Sequence, residues 1–397
     1  MPVRFRQLPR ELVLFAGATI AMGVAYSIFD STFNNFLNER FSLTPFQRAF
    51  MELPRELPGF LVVFVSAALW FLNSRRLGAL CMVLGMIGVL LIGFASPTYP
   101  IMLIWLFFFS MGQHLFMPLS ATIGMELASA GRTGRRLGQL NALRNAATIV
   151  GSFIVVLGFR YLKFDFENTF ILAALGLATA SGLMFAMKPA PIQRARSYLQ
   201  LHREYRLYYS LSVISGARKQ LFITFAPWVL VTVFNQPTQI IATLLMIGGI
   251  IGILFQPFLG WAIDRLGERV VLAAEAVVLV FVCFGYGFSK SLLPENIAFL
   301  VVCTCYILDQ MVFSVGMARS TYMKKIAIRS GDIQPALTAG VTIDHVFSIS
   351  AALLGGLIWN AFGFQYVFLM GVVIAFISLV LALQVRIPEA QLIPGDN

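Results

Sequence analysis

Charged residues are scarce in this chain of 397 residues. They make up 12% of the sequence, whereas hydrophobic residues make up 58%. An ordinary soluble domain carries charge on roughly a quarter of its residues. Most of a surface this poor in charge cannot face water, so the composition excludes a soluble globular protein and indicates one embedded in a lipid bilayer.

Cysteine and histidine are also rare, with four and three copies. All four cysteines fall in apolar stretches, and Cys303 and Cys305 point in different directions on a helix, which argues against a disulfide or a metal pair. The three histidines are scattered at His114, His202 and His345. We therefore expect no metal site and no cofactor.

Nucleotide-binding and hydrolytic motifs are absent. The sequence contains neither a Gly-rich phosphate loop nor the Gly-x-Ser-x-Gly turn of serine hydrolases. We predict no catalytic residues, no enzyme activity and no direct use of ATP. The net charge of +11 is dispersed over many short loops, a pattern unlike a nucleic-acid-binding surface, so we expect no nucleic-acid partner.

What the chain does contain is apolar stretches of about 20 residues or more, each long enough to cross the bilayer. Helices are expected because they satisfy their own backbone hydrogen bonds in lipid. The prediction is an all-α polytopic membrane protein with twelve transmembrane helices. The predicted spans are 12–36, 46–72, 77–96, 99–126, 137–160, 167–187, 206–233, 237–261, 269–288, 294–319, 334–358 and 364–385.

The sequence contains an internal repeat, because polar residues recur at matching places in its two halves. This repetition predicts two pseudo-symmetric six-helix bundles, residues 1–187 and 206–397, joined by a cytoplasmic linker over 188–205, with a cleft for a solute between the bundles. The matched residues are Gln113 with Gln310, Asp30 with Lys219 or Gln220, and Arg144 with Asp344.

Lysine and arginine are unevenly distributed among the predicted loops. Twenty lie on the side that carries both termini, and five lie on the opposite side. Positively charged loops remain in the cytoplasm, so we predict cytoplasmic termini and an integral protein of the bacterial inner (plasma) membrane. The basic linker is expected on the inner leaflet, with Tyr205 dipping into the lipid interface.

The strongest local motif is Gly260-Trp-Ala-Ile-Asp264-Arg265-Leu-Gly267-Glu-Arg269, after the eighth span. It resembles the Gly-x-x-x-Asp-Arg-x-Gly loop of the major facilitator superfamily, and residues 355–368 look like that family's joint between helices eleven and twelve. The resemblance implies secondary transport by alternating access. Charges beside a tight glycine turn can pair with a neighbouring helix end in one conformation and release it in another, so these motif residues are gating candidates.

The first half departs from this motif. Phe71 and Arg75 stand where the family pattern has Gly and Asp, so we expect an asymmetric cytoplasmic latch. Drug/proton antiporters of the family that this chain resembles carry a Gly-Pro pair late in their fifth helix. The fifth span lacks this pair, which argues against multidrug efflux.

Ionisable residues inside the predicted spans are the best guide to mechanism. A charge near the bilayer centre costs roughly 2.5 to 3.5 kcal/mol, so these residues must pair or face water. In the superfamily that the chain resembles, helices three, six, nine and twelve form the outer scaffold. The scaffold spans are almost free of charge here, with Glu275 near the end of the ninth as the exception.

These residues divide into three predicted groups. The basic residues among the solute contacts favour an anionic or zwitterionic solute. The candidate solute contacts are Asp30, Asn34, Gln113, His114, Arg144, Arg218, Lys219 and Gln310. The candidate proton carriers are Glu52, Glu56, Asp309, Asp344 and His345, with Arg55 or Arg144 as the expected partner of Asp344. The gating candidates are Arg55, Gly260, Asp264, Arg265, Gly267 and Arg269.

The sequence thus favours proton-coupled transport of a small organic solute by a monomer in the lipid bilayer. Three alternatives remain open. One is efflux of a cationic or amphipathic compound held by Asp30, Asp309 or Glu52, and the others are a lipid flippase and a sensor of the same fold that transports nothing.

Overall fold

A computed structural model describes residues 9–69, 71–128, 133–189, 201–329 and 332–387. Within these residues the secondary structure is helical, as predicted. The helices are α1 (Arg10–Phe41), α2 (Pro45–Phe50), α3 (Glu52–Ala68), α4 (Ser74–Phe94), α5 (Tyr99–Glu126), α6 (Thr133–Tyr161), α7 (Phe166–Ala186), α8 (Arg206–Thr232), α9 (Thr238–Leu292), α10 (Glu295–Phe313), α11 (Gly316–Ile326), α12 (Ile333–Phe362) and α13 (Phe364–Leu383), with a 3-10 turn over Arg203–Tyr205.

Nine helical segments in the described part of the chain are long and apolar enough to cross a membrane. The other three predicted spans are accounted for by α9, α3 and α8. Helix α9 combines the eighth and ninth spans across Gly267. Helix α3 has only 17 residues but follows α2 through Met51, which keeps helical dihedral angles. Helix α8 carries Arg218 and Lys219 at mid-length. Each predicted span therefore corresponds to helical structure.

Two glycines make the sharp turns between consecutive spans. Gly267 has φ 82° and ψ 161°, and Gly363 has φ 106° and ψ 165°. Side chains disfavour positive φ, so the backbone requires glycine at both places. A Cβ atom on Gly267 would in fact meet nothing within 4 Å. The turn that the motif predicts at Gly267 is present.

The contacts divide the chain into two compact units. The first unit comprises residues 1–195 and 227–253, and the second comprises residues 196–226 and 254–397. The predicted linker lies mostly outside the described residues, and the predicted boundaries at 187 and 206 stay a prediction.

In the first unit, small residues bring helices into close contact. A Cβ atom on Gly151 of α6 would lie 2.6 Å from the Val24 carbonyl of α1. Backbones that approach this closely are typical of helix pairs in membranes. Around Phe29 the core is aromatic, with ring centroids 4.3 Å from Phe109 and 5.9 Å from Phe170. This packing fixes α1 against α5, α6 and α7.

In the second unit, Tyr286 and Phe368 stack in the core at 4.8 Å between ring centroids, and Phe222 packs edge-on against both at 5.8 and 5.9 Å. Tyr205 corrects one expectation, because its side chain is buried and not at the lipid interface. Its hydroxyl donates to Asp332 Oδ2 at 2.7 Å and accepts from the Ile328 N–H at 3.1 Å. Two partly buried hydrogen bonds outweigh the interfacial preference of tyrosine.

Candidate functional site

A chain of charges runs along one face of α2 and α3 in the first unit. Arg48, Glu52 and Arg55 recur at spacings of four and three, which places them on the same side of a helix. Arg48 Nη1 lies 2.6 Å from Glu52 Oε1, and Arg55 Nη1 lies 3.6 Å from that same oxygen. Arg55 Nη2 is 4.0 Å from Asp30 on α1. One arginine therefore faces two carboxylates on different helices.

Exposure changes steeply along this chain. The side chain of Asp30 is 46% exposed and that of Arg55 is 21% exposed, whereas Arg48 and Glu52 are fully buried. The buried arginine also donates from Nε to Asn34 Oδ1 at 3.2 Å. A buried ion pair is tolerated only with such additional partners. The exposed end of this series of charges is Asp30.

His114 is connected to this chain through Ser110 on α5. Ser110 Oγ donates to the Arg55 carbonyl and lies 3.0 Å from His114 Nδ1. The donor that Pro58 lacks would have bonded the Pro54 carbonyl, so the Ser110 bond to the Arg55 carbonyl is a separate contact that joins α5 to α3. The structure thus brings the predicted residues His114 and Arg55 together.

A second group of charges lies in the second unit. Arg218 Nη1 is 2.9 Å from Asp309 Oδ1, and its Nη2 is 3.8 Å from Glu275 Oε1. Arg319 Nη1 is 3.5 Å from the other oxygen of Glu275. The four charges alternate in sign over α8, α9, α10 and α11. Arg218 is only 5% exposed, which leaves little of it for the solute contact that the sequence predicts.

Lys219 and Asp344 form the shortest ion pair of the second unit. Their Nζ and Oδ2 atoms are 2.5 Å apart, with side chains 14% and 21% exposed. The pair sits where α8 and α12 touch, because a Cβ atom on Gly216 would overlap the Asp344 backbone and Ser348 Oγ donates to the Gly216 carbonyl at 3.0 Å. Sequence reasoning named Arg55 or Arg144 as the partner of Asp344; within its unit the partner is Lys219.

The remaining predicted residues differ in their burial. Arg144 is exposed on α6, and Gln113 and Gln310 are partly buried. Glu56 and His345 are buried. Each of these residues remains a candidate by position alone.

The gating motif lies on the surface of the second unit, and its gating role stays a prediction. Asp264, Arg265 and Arg269 are exposed and form no ion pair within the described residues of the second unit, and Gly260 has open space around it. The buried carboxylate is Glu268, whose Oε1 lies 2.6 Å from Lys325 Nζ at the end of α11.

In the first half, Arg75 pairs with Glu126 at 3.3 Å. Each unit thus contains an ion pair that joins the turn after its second span to the end of its fourth span. The predicted topology places both turns in the cytoplasm. Sequence reasoning missed Glu268, although it lies beside the turn glycine inside the motif.

Comparisons with known proteins point to one family and one fold. The sequence profile of the Major Facilitator Superfamily matches residues 15–343. No curated protein sequence matches the chain.

Solved structures resemble the whole chain. One is a mutant of the nucleoside transporter NupG, with a TM-score of 0.76 and 14% identity over 94% of this chain and 99% of that one. Another is the inward-open xylose transporter XylE from E. coli, with a TM-score of 0.71 and 14% identity over 96% and 97%. A third is a POT family transporter in complex with a thioalcohol-conjugated peptide, with a TM-score of 0.71 and 13% identity over 95% and 97%. At these identities the likeness concerns the fold, and the predicted fold class is confirmed.

Proposed function

This chain belongs to the major facilitator superfamily, a family of membrane transporters and not of enzymes, and from that premise we propose that it moves a small organic solute, anionic or zwitterionic, driven by protons. The family membership makes it an integral membrane secondary transporter. The charge of the solute and the coupling ion are the proposal. Cytoplasmic termini and a bacterial inner membrane location are proposed with it, from the distribution of loop charge.

The observation that carries the proposal is the presence of both charge signs at partly exposed intramembrane positions. Asp30 and Arg55 of the first unit and Lys219 and Asp344 of the second are each at least 14% exposed. Charges are expensive in lipid and are kept where they serve transport or pairing. Exposed cations favour an anionic group on the solute, and Asp30 suits an amino group of a zwitterion.

Proton coupling is assigned to Asp344. A carboxylate that is paired with a lysine at 2.5 Å can release that lysine when it takes up a proton. The released ammonium is then free to bind an anionic solute, which links the two events. One of the similar solved structures is described as a D-xylose-proton symporter, so proton coupling is compatible with this fold.

A second candidate is transport of a cationic compound. It is favoured by Asp30, whose side chain is 46% exposed and whose closest cation, Arg55, is at 4.0 Å. Glu52 does not support this alternative, because it is fully buried.

The deciding experiment uses purified protein in liposomes. Uptake of a library of organic acids, amino acids, sugars, nucleosides and organic cations is measured with and without an imposed pH gradient. We expect an anionic or zwitterionic solute to accumulate only with the gradient. Accumulation of organic cations alone would replace the proposal by the second candidate, and accumulation that ignores the gradient would reject proton coupling.

A further inference from the structure

The buried end of the charge chain in the first unit reaches a tryptophan far along the sequence. The guanidinium carbon of Arg48 lies 6.0 Å from the ring centroid of Trp228, and both side chains are almost completely buried. A desolvated cation over an indole ring is an attractive contact. Arg48 therefore contacts Glu52 on one side and the C-terminal part of α8 on the other.

Further contacts join the same regions of the first unit. Asn35 Nδ2 on α1 donates to the Gln236 carbonyl at 3.0 Å. A Cβ atom on Gly249 of α9 would lie 2.9 Å from Ile149 of α6. The segment around Gln236 joins the seventh and eighth spans, and the positive-inside rule places it outside the cell. The hydrogen bond from Asn35 closes this outer end, and the contact of Gly249 with Ile149 packs α9 against α6 deeper in the unit.

Arg55 connects the buried Arg48–Glu52 pair to the exposed Asp30. It is 3.6 Å from Glu52 and 4.0 Å from Asp30, so neither carboxylate holds it at an ideal distance. Glu52 Oε2 is buried without a hydrogen-bond partner among the described residues, so Glu52 has an acceptor to spare. A charged group that arrives at Asp30 and displaces Arg55 therefore changes the field on Glu52, and with it the hold on Arg48.

We propose that Arg48 is the positioning residue of an outer gate. Its ion pair with Glu52 keeps it against Trp228, and this contact, which we call the lock, keeps the gate closed. Arg55 connects the lock to Asp30, where the solute binds. The proposal rests on the proposed transport function for its use. The lock itself is tested without any solute. Arg48 lies at the start of the second predicted span, and the structure brings Trp228 against it.

The test measures access to the gate from outside intact cells. A cysteine replaces Thr238, which is 3% exposed beside the outer segment, and its reaction rate with an impermeant maleimide is recorded. We expect slow labelling in the parent and labelling about fivefold faster or more with Arg48→Met. Trp228→Leu, which leaves the Arg48–Glu52 pair in place, should also accelerate labelling. Arg48→Lys should give the smallest increase.

The matched control is Arg40→Met, which removes an exposed cation from the last turn of α1. It should not change the labelling rate, and a cysteine at the exposed Leu162 should label in every variant. Size-exclusion chromatography and the Tm identify the variants that fold. If Arg48→Met does not fold, Trp228→Leu and Arg48→Lys test the proposal in its place.

Three results would overturn the lock. The first is unchanged labelling in folded Arg48→Met or Trp228→Leu, the second is an equal increase in Arg40→Met, and the third is a Leu162 cysteine inaccessible from outside. The absence of any transported solute would instead reject the proposed function and leave the lock in place.

Discussion

The contact between α1 and α6 in the first unit can be compared with the contact between α8 and α12 in the second. Ser27 on α1 donates to the Thr148 carbonyl at 2.7 Å, whereas Ser348 on α12 donates to the Gly216 carbonyl at 3.0 Å. Ser27 and Gly216 are 189 residues apart, as Asp30 and Lys219 are. The two copies of the repeat therefore join the same two positions with donor and acceptor exchanged.

The charges next to these contacts are exchanged as well. Asp30 and Arg144 of the first unit correspond to Lys219 and Asp344 of the second. In the second unit the two charges are paired at 2.5 Å, but Asp30 is 46% exposed and Arg144 is exposed. The corresponding helix pairs thus carry exposed charges in the first unit, which we call the open charges, and a direct ion pair in the second, which we call the closed pair. We assign the open charges to the solute and the closed pair to the proton.

Breaking the closed pair should have the largest effect. Lys219→Met leaves the Asp344 carboxylate without its cation, and orphaning one partner of a buried pair costs about 3 to 5 kcal/mol. Partial exposure of both side chains puts the expected loss at the lower end of that range. Thermal unfolding of purified protein should show a lowered Tm that Asp344→Asn restores in the double variant.

Arg265→Met is the matched control for this loss, because it removes an exposed cation that has no ion pair within the described residues of its unit. It should change stability by about 0.5 kcal/mol or less. A double variant no more stable than Lys219→Met would show that the pair is not a unit.

The cytoplasmic turn gives a smaller effect that compares a buried carboxylate with an exposed one. Glu268→Gln removes the charge that holds Lys325 at 2.6 Å, so we expect solute exchange to slow several-fold. Asp264→Asn should slow exchange less, since Asp264 is exposed. Exchange rates at equal expression measure both. A larger loss in Asp264→Asn would return the latch to the residue that the motif alone indicates.

The serine contacts should give the smallest effect. Ser348→Ala removes one hydrogen bond between helices, for which about 0.6 kcal/mol is typical in membranes, whereas Ser27→Ala also removes the bond to Ser152 Oγ at 2.9 Å. Unfolding in mixed detergents should therefore show a loss in Ser27→Ala at least as large as the loss in Ser348→Ala. A larger loss in Ser348→Ala would mean that the exchange of donor and acceptor is not neutral.

Sequence reasoning predicted what depends on local pattern. Apolar length gives the spans, and the Gly267 turn follows from a motif read along one stretch of chain. The spacing of Arg48, Glu52 and Arg55 gives one polar face because helical periodicity fixes it.

Contacts between helices were out of reach. The partner of Asp344 depends on how closely α8 approaches at Gly216, which no spacing in the sequence encodes. Glu275 was set aside with the scaffold, yet it lies 3.8 Å from Arg218. Tyr205 looked interfacial by composition, but its hydrogen bonds to a distant loop bury it. In each case the deciding term is a tertiary contact and not a local preference.

The most direct test of the account measures gradient-driven uptake and solute exchange on the same liposomes for Asp344→Asn and Asp30→Asn. If the closed pair serves the proton and the open charge serves the solute, Asp344→Asn loses accumulation driven by a pH gradient and keeps exchange, while Asp30→Asn loses both because it binds the solute poorly. Equal loss of both activities in folded Asp344→Asn would contradict the account and leave the Lys219–Asp344 pair a purely structural one.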